Sequence, residues 1–177
     1  PPPLVEVRIR NDQGEVPPDG KTSGELEVRG PWIASAYANV GTTDKWTSDG
    51  FFRTGDVATL CPVGFVQLTD RIADLIKSGG EWIASQEIEN MLMGHPAVKE
   101  AAVVGVPPPK WSERPLAAIV WKPGMSATDD DLRAFLAPRF AKFWLPDAFV
   151  AMDLIPRTSA GKFKKTELRE RFKDWKW

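Results

Sequence analysis

Three short stretches of this sequence put polar groups where they can do chemistry. Phe52-Arg53-Thr54-Gly55-Asp56 ends a tight Thr-Gly turn on a carboxylate. Two oxygens on one rigid group can accept hydrogen bonds from both hydroxyls of a ribose diol, although the same composition also makes a turn that merely starts a strand. Asp70-Arg71-Ile72-Ala73-Asp74-Leu75-Ile76-Lys77-Ser78-Gly79-Gly80-Glu81 joins an Asp-Arg pair to two glycines. Glycines let a ligand pass close to the backbone and meet its N–H groups; as plain residues, Asp-Arg is an ordinary turn ion pair and Gly-Gly an ordinary turn. Ile155-Pro156-Arg157-Thr158-Ser159-Ala160-Gly161-Lys162 holds a lysine on a Gly-containing loop. It is no phosphate-binding P-loop, which requires Gly where Pro156 stands and Ser or Thr where Phe163 stands.

The elements around these groups follow from periodicity. Up to residue 69 the chain reads as β with turns. Leu4–Arg10 and Gly24–Gly30 alternate with period two, Asn11–Gly14 is a turn, and short strands are expected over Val57–Leu60 and Phe65–Thr69. These make a small antiparallel sheet or the end of a barrel. After Asp70 the pattern becomes mixed. Ser85 is expected to cap a helix carrying Ile88, Met91 and Leu92, and Thr128–Asp131 reads as a capping box ahead of Leu132, Phe135 and Leu136. Val98–Val106, Leu116–Trp121 and Phe149–Leu154 have strand character, Lys77–Ile83 reads as a hairpin-like loop, and a last helix from about Thr166 buries Leu168, Phe172 and Trp175. The eight tryptophans are expected mostly in core or interdomain packing.

Composition narrows the function classes. Of 177 residues 42% are hydrophobic, enough for a globular core, and 23 basic against 24 acidic side chains argue against an electrostatic nucleic-acid binder. Arg157–Trp177 has a local excess, eight Lys or Arg against three Asp or Glu, suited to attracting phosphates or to a solvated helix face; Lys164, Lys165 and Lys173 read as surface residues. The lone Cys61 fits a reducing, cytoplasmic setting, and with the lone His95, read as a turn residue, it makes neither a zinc site nor a Cys/His pair. No apolar run approaches the roughly 20 residues of a membrane span. The opening Pro1-Pro2-Pro3 leads straight into a strand, so the chain is expected to be a piece of something longer.

In this order the three stretches resemble the closing half of an acyl-adenylate-forming enzyme, the superfamily of acyl-CoA synthetases and adenylation domains. Asp49-Gly50-Phe51 before the first stretch, and Ile76–Ile83 with Glu87-Ile88-Glu89, are similar to medium- and long-chain fatty-acyl-CoA synthetases. The likeness runs on through Val106–Leu116 and Trp144-Leu145-Pro146-Asp147. It implies an α+β fold: residues 1–69 as the β-rich tail of a large N-terminal AMP-binding domain, and residues 70–177 as a small mobile C-terminal lid. It further implies a parent enzyme that activates a fatty acid with Mg-ATP, releases pyrophosphate and transfers the acyl group to CoA.

The resemblance also assigns roles. Lys162 matches the catalytic lysine of adenylation, where an ammonium reaching the carboxylate and the α-phosphate stabilises the charge that develops. Asp56, Arg71 and Lys77 match nucleotide-binding positions, with Asp56 on the ribose. Asp70 matches the hinge, and Ser78, Gly79, Gly80, Glu81 and Trp82 match the face presented to the pantetheine arm of CoA. Ala73 departs from the pattern, standing where many relatives carry Lys. The phosphate loop, the Mg2+ ligands and the acyl pocket are expected outside this chain, which alone is expected to be inactive. The partners implied are ATP or AMP, a carboxylic acid and CoA, with no nucleic acid; membrane-surface association of the parent and its oligomeric state stay open. Two rival readings remain: an aryl- or amino-acid-activating enzyme, and a non-catalytic lid-like binding module.

Overall fold

A computed structural model describes residues 1–38, 44–79, 81–107 and 113–177. The chain divides into two units, Pro1–Ala73 and Asp74–Trp177, and its architecture is α+β.

In the first unit the described elements are strands: β1 (Glu6–Asn11), β2 (Gly14–Glu15), β3 (Gly24–Arg29), β4 (Phe52–Leu60) and β5 (Val66–Arg71). They form one antiparallel sheet in the order β2-β1-β3-β4-β5. The first strand starts at Glu6 rather than Leu4, because Leu4 takes a left-handed φ of 65° that an extended chain does not have. Ile9, Val16 and Ala58 form the core of this sheet, with Leu26, Leu60 and Val66 against it. Beside it lies a buried carboxylate, Glu27, held by Arg8 at 2.6 Å and Arg53 at 3.6 Å. Arg8 also forks onto Asp49 and lies 3.9 Å over the Phe51 ring, so the turn leading into β4 is fixed by charge and by an aromatic face.

β4 begins five residues earlier than the expected Val57 (Phe52 to Val57). The strand runs through Thr54-Gly55-Asp56 as a bulge: Arg53 pairs with Glu27 and Val57 with Glu25, leaving those three residues opposite Leu26 alone. Gly55 has a φ of +76°, which permits the extra residues without a Cβ penalty.

In the second unit, β6 (Ile76–Ser78) and β7 (Glu81–Ile83) make a hairpin, and α1 (Ser85–Met93) follows. β8 (Val98–Val106) pairs antiparallel with β9 (Arg114–Trp121), which pairs parallel with β10 (Ala148–Ala151) across the intervening α2 (Asp129–Leu136). α3 (Lys165–Phe172) closes the chain. Both faces of the three-stranded sheet are covered. Ala101, Val103, Ala117 and Ile119 pack with Ile88, Leu92, Leu132 and Leu136 of α1 and α2, whereas Ala102, Val104, Leu116 and Ala118 pack with Leu168 and Phe172 of α3. Two covered faces explain why β8 and β9 read as unbroken apolar runs rather than as alternation.

The structure bears out one capping expectation and departs from others. The capping box at Thr128 is present, with reciprocal bonds to Asp131. Ser85 is no cap: Ala84 holds that position, and Ser85 is buried with its hydroxyl turned elsewhere. β10 stops at Ala151, after which the Met152 N–H bonds the Ile119 carbonyl and the chain leaves the sheet. None of the described tryptophans is fully buried: Trp121, Trp144 and Trp175 pack against the cores half-exposed, and Trp32 is 73% exposed. Their size and indole N–H suit the margin of so small a core better than its centre.

Candidate functional site

The bulge in β4 aims the first candidate. The Thr54 hydroxyl donates to the Leu26 carbonyl (2.8 Å) and accepts from the Asp56 N–H (3.0 Å), while the Gly55 N–H bonds Glu25 Oε1 at 3.2 Å. The backbone around Asp56 is thus tied down on both sides. Arg71 lies across from it in the β4–β5 register, with Nε 3.4 Å from Asp56 Oδ1. The two nucleotide-binding candidates of the first unit are therefore neighbours. The Asp56 side chain is 31% exposed and that of Arg71 67%, so both can reach a ligand. Asp70 is buried in β5 opposite Val57, and its carboxylate accepts the Arg71 N–H at 2.7 Å.

In the second unit the hairpin β6–β7 carries the next group. Lys77 pairs with Trp82 across the hairpin, its Nζ 4.6 Å over the indole ring. Glu81 and Trp82 are exposed. Gly79 turns the chain at φ +60° with open space around its Cβ direction; Gly80 lies outside the described residues, as do Pro108–Ser112 of the loop singled out above. Ser78 differs from its neighbours. It is buried, and its hydroxyl accepts a 2.7 Å bond from Arg114, so it supports the hairpin from beneath.

Lys162 tips a separate turn. An isolated bridge joins Arg157 to Phe163, the Thr158 N–H bonds the Lys162 carbonyl at 2.8 Å, and the Lys162 N–H bonds the Thr158 hydroxyl at 3.3 Å. Gly161 supplies the φ of +81° that closes it, and Arg157 bonds the Gly161 carbonyl. The Lys162 side chain is exposed and makes no ion pair with a described residue. Arg157 anchors the turn to Glu100, near the start of β8, at 3.2 Å.

The hairpin is anchored near the other end of β8. Glu113 accepts the Lys77 N–H at 2.9 Å, and its carboxylate passes so close over Gly105 that a Cβ there would lie 2.7 Å from it. Glu100 and Gly105 are five positions apart on the strand (Glu100 to Gly105), roughly 17 Å at 3.3–3.4 Å per residue. Lys162 and the Gly79 turn are thus fastened to the two ends of one strand.

The basic tail is less solvated than its composition implies. Lys165, read above as a surface residue, lies with Nζ 2.8 Å from Glu89 and 2.8 Å from the Ser85 hydroxyl. The same Glu89 oxygen, Oε1, accepts the Val103 N–H at 2.7 Å, on the outer edge of β8. Ser85 donates to the Asp74 carbonyl at 3.1 Å, and Arg169 pairs with Asp74 at 2.7 Å. The signal was in the spacing: Lys165 shares the i, i+3, i+7 stripe of Leu168 and Phe172, and Glu89 lies between Ile88 and Leu92 on the buried face of α1. His95 is structural, its Nδ1 accepting the Ala97 N–H and its ring edge-on to Phe135. Among the described residues no group of three or more His, Cys, Asp or Glu is placed to hold a metal ion, and no helix is long and apolar enough to cross a membrane.

Residues 87–162 match the family model described as AMP-binding enzyme C-terminal domain. A long-chain-fatty-acid–CoA ligase from Thermus thermophilus is 52% identical over 98% of this chain and 32% of its own length. A 3-methylmercaptopropionyl-CoA ligase from Ruegeria lacuscaerulensis is 45% identical over 98% of this chain and 32% of its own length. The crystal structure of ATP-bound MatB from Rhodopseudomonas palustris superposes with a TM-score of 0.89, at 32% identity, over 97% of this chain and 35% of that one. The chain spans about one third of the length of the curated relatives it matches.

Proposed function

We propose that this chain, whose residues 87–162 match the AMP-binding enzyme C-terminal domain, is the closing part of an ATP-dependent acyl-CoA ligase acting on a fatty acid or a related aliphatic acid. In the first half-reaction the carboxylate attacks the α-phosphorus of ATP, the bond to pyrophosphate breaks, and acyl-AMP forms. In the second, the CoA sulfur attacks the acyl carbon and AMP leaves. The names of the similar ligases support the substrate class.

The observation that carries this reading is the pair of anchors on β8. Lys162, exposed on a closed turn at one end, suits the electrostatic task of the first step: its ammonium meets charge building on the phosphoryl oxygens. The Gly79 turn at the other end, with open space over its backbone and Trp82 and Lys77 beside it, suits passage of the pantetheine arm. Two tasks at two ends of a strand fit a lid that turns about the segment after Asp70 and presents one end at a time. Asp56 and Arg71 would hold the ribose throughout.

The test is a panel of fatty, aryl and amino acids offered to the full-length protein with ATP, reading pyrophosphate release and then acyl-CoA. Release that depends on aliphatic acids supports the reading. Release only with aryl or amino acids moves the protein to another branch of adenylate-forming enzymes, and no release with any acid leaves a non-catalytic binding module.

A further inference from the structure

We propose that Arg114 is a positioning residue for the acyl-transfer half-reaction, holding the Gly79 hairpin in register from below without touching a substrate. This rests on the ligase reading above. The hairpin has only three residues in each strand, and an isolated two-stranded ribbon of that size is not stable by itself in water. Something else must fix it.

Arg114, the first residue of β9, makes that connection. Its Nη1 donates to the Ser78 hydroxyl at 2.7 Å and to the Phe143 carbonyl at 3.0 Å, while Nε and Nη2 fork onto Asp147 at 2.6 and 2.7 Å. One planar guanidinium therefore ties the hairpin to the 3-10 turn at Lys142–Trp144 and to the residue just before β10. The hydrogen bond to the Asp147 carboxylate holds the Arg114 pKa above its ordinary value. Asp147 is itself fixed, its N–H bonded to the Pro115 carbonyl at 3.0 Å. The neighbouring Glu113 takes the Lys77 N–H, so two adjacent residues at the entry to β9 grip both the backbone and the side-chain layer of β6.

Lys162 has no share in this grip, because its turn is anchored through Arg157 and Glu100. Loosening Arg114 should therefore misplace the hairpin and leave the adenylation lysine where it is. Lysine cannot replace Arg114: a point charge cannot serve three partners in a fixed fork.

The experiment compares Arg114→Lys and Asp147→Asn with the unaltered full-length protein in two single-turnover assays: pyrophosphate release with acid and ATP, and acyl-CoA formation from preformed acyl-AMP at saturating CoA. The expected result is a loss of roughly ten- to a hundredfold in transfer, with pyrophosphate release held within about twofold of the unaltered protein. If Arg114→Lys fails to fold, Asp147→Asn carries the test, since it weakens the fork that aims the guanidinium at Ser78 while keeping a side chain of the same size. Equal losses in both half-reactions, or no loss in either, overturn the role of Arg114 while leaving the ligase reading standing. Absence of pyrophosphate release from the unaltered protein overturns the ligase reading and this role together.

Discussion

At Lys162 a single ammonium stands on a turn whose backbone is closed by Thr158 and Gly161, so truncation removes the charge without disturbing the fold. Lys162→Ala in the full-length protein is expected to slow acyl-AMP formation by roughly a hundredfold or more. Acyl-CoA formation from preformed acyl-AMP should persist, and half-reaction rates check both. Asp56→Ala should weaken nucleotide binding and impair both steps, because a ribose held by two hydrogen bonds loses both, on the order of 2–4 kcal/mol. ATP affinity by calorimetry is the readout, and unchanged affinity would reduce Asp56 to a bulge residue. A third residue-scale effect concerns pH. Hydrogen bonds from Arg8, and then from Thr47, hold the Asp49 carboxyl well below the usual carboxylate range, and the Thr22 hydroxyl holds Asp19 at about 2. A depressed folded pKa contributes stability that is complete above the ordinary value near 4 and is lost as pH falls through the folded value. Acid unfolding below about pH 4 should therefore be less steep in Asp49→Asn, as followed by tryptophan fluorescence.

At the scale of elements, the Lys165–Glu89 pair joins α3 to α1 and to the free edge of β8. Both side chains are nearly buried, 11% and 7% exposed. Removing one partner of a buried pair leaves an uncompensated charge, so Glu89→Ala is expected to cost roughly 3–5 kcal/mol in urea unfolding. Glu89→Leu with Lys165→Met should cost much less than the sum of the single changes, because neither variant side chain then buries a charge. The Asp74–Arg169 and Ser85–Asp74 bonds extend the same network to the first residue of the second unit. The helix carrying these ties begins three residues after Lys162 (Lys162 to Lys165), so the turn is held relative to the segment that enters the unit.

At the scale of the whole molecule, the described chain divides between Ala73 and Asp74, a few residues past Asp70. If the lid turns about this segment, Asp70→Pro should impair acyl transfer more than adenylation in the full-length protein, since proline fixes φ and removes an N–H from β5. Equal impairment of both steps would argue for one static site. The 177-residue chain purified by itself is expected to give no acid-dependent pyrophosphate release. Detectable release would mean that the phosphate and acyl sites assigned elsewhere are contained in it.

Local chemistry was enough to read the α+β pattern, the Thr128 cap, the β6–β7 hairpin and the Gly161-Lys162 turn, because glycine placement, capping and periodicity act over a few residues. The bulge that aims Asp56 was not legible, since it exists only through the register of β4 against β3. Ser85, Glu89, Lys165 and Arg114 were misread or passed over for the same reason. Each is an ordinary polar residue whose role depends on partners 80, 14 or 36 positions away. Burial turned those side chains from solvated polar groups into obligatory partners, and only the packing of α1, α3 and β9 brings the partners within reach.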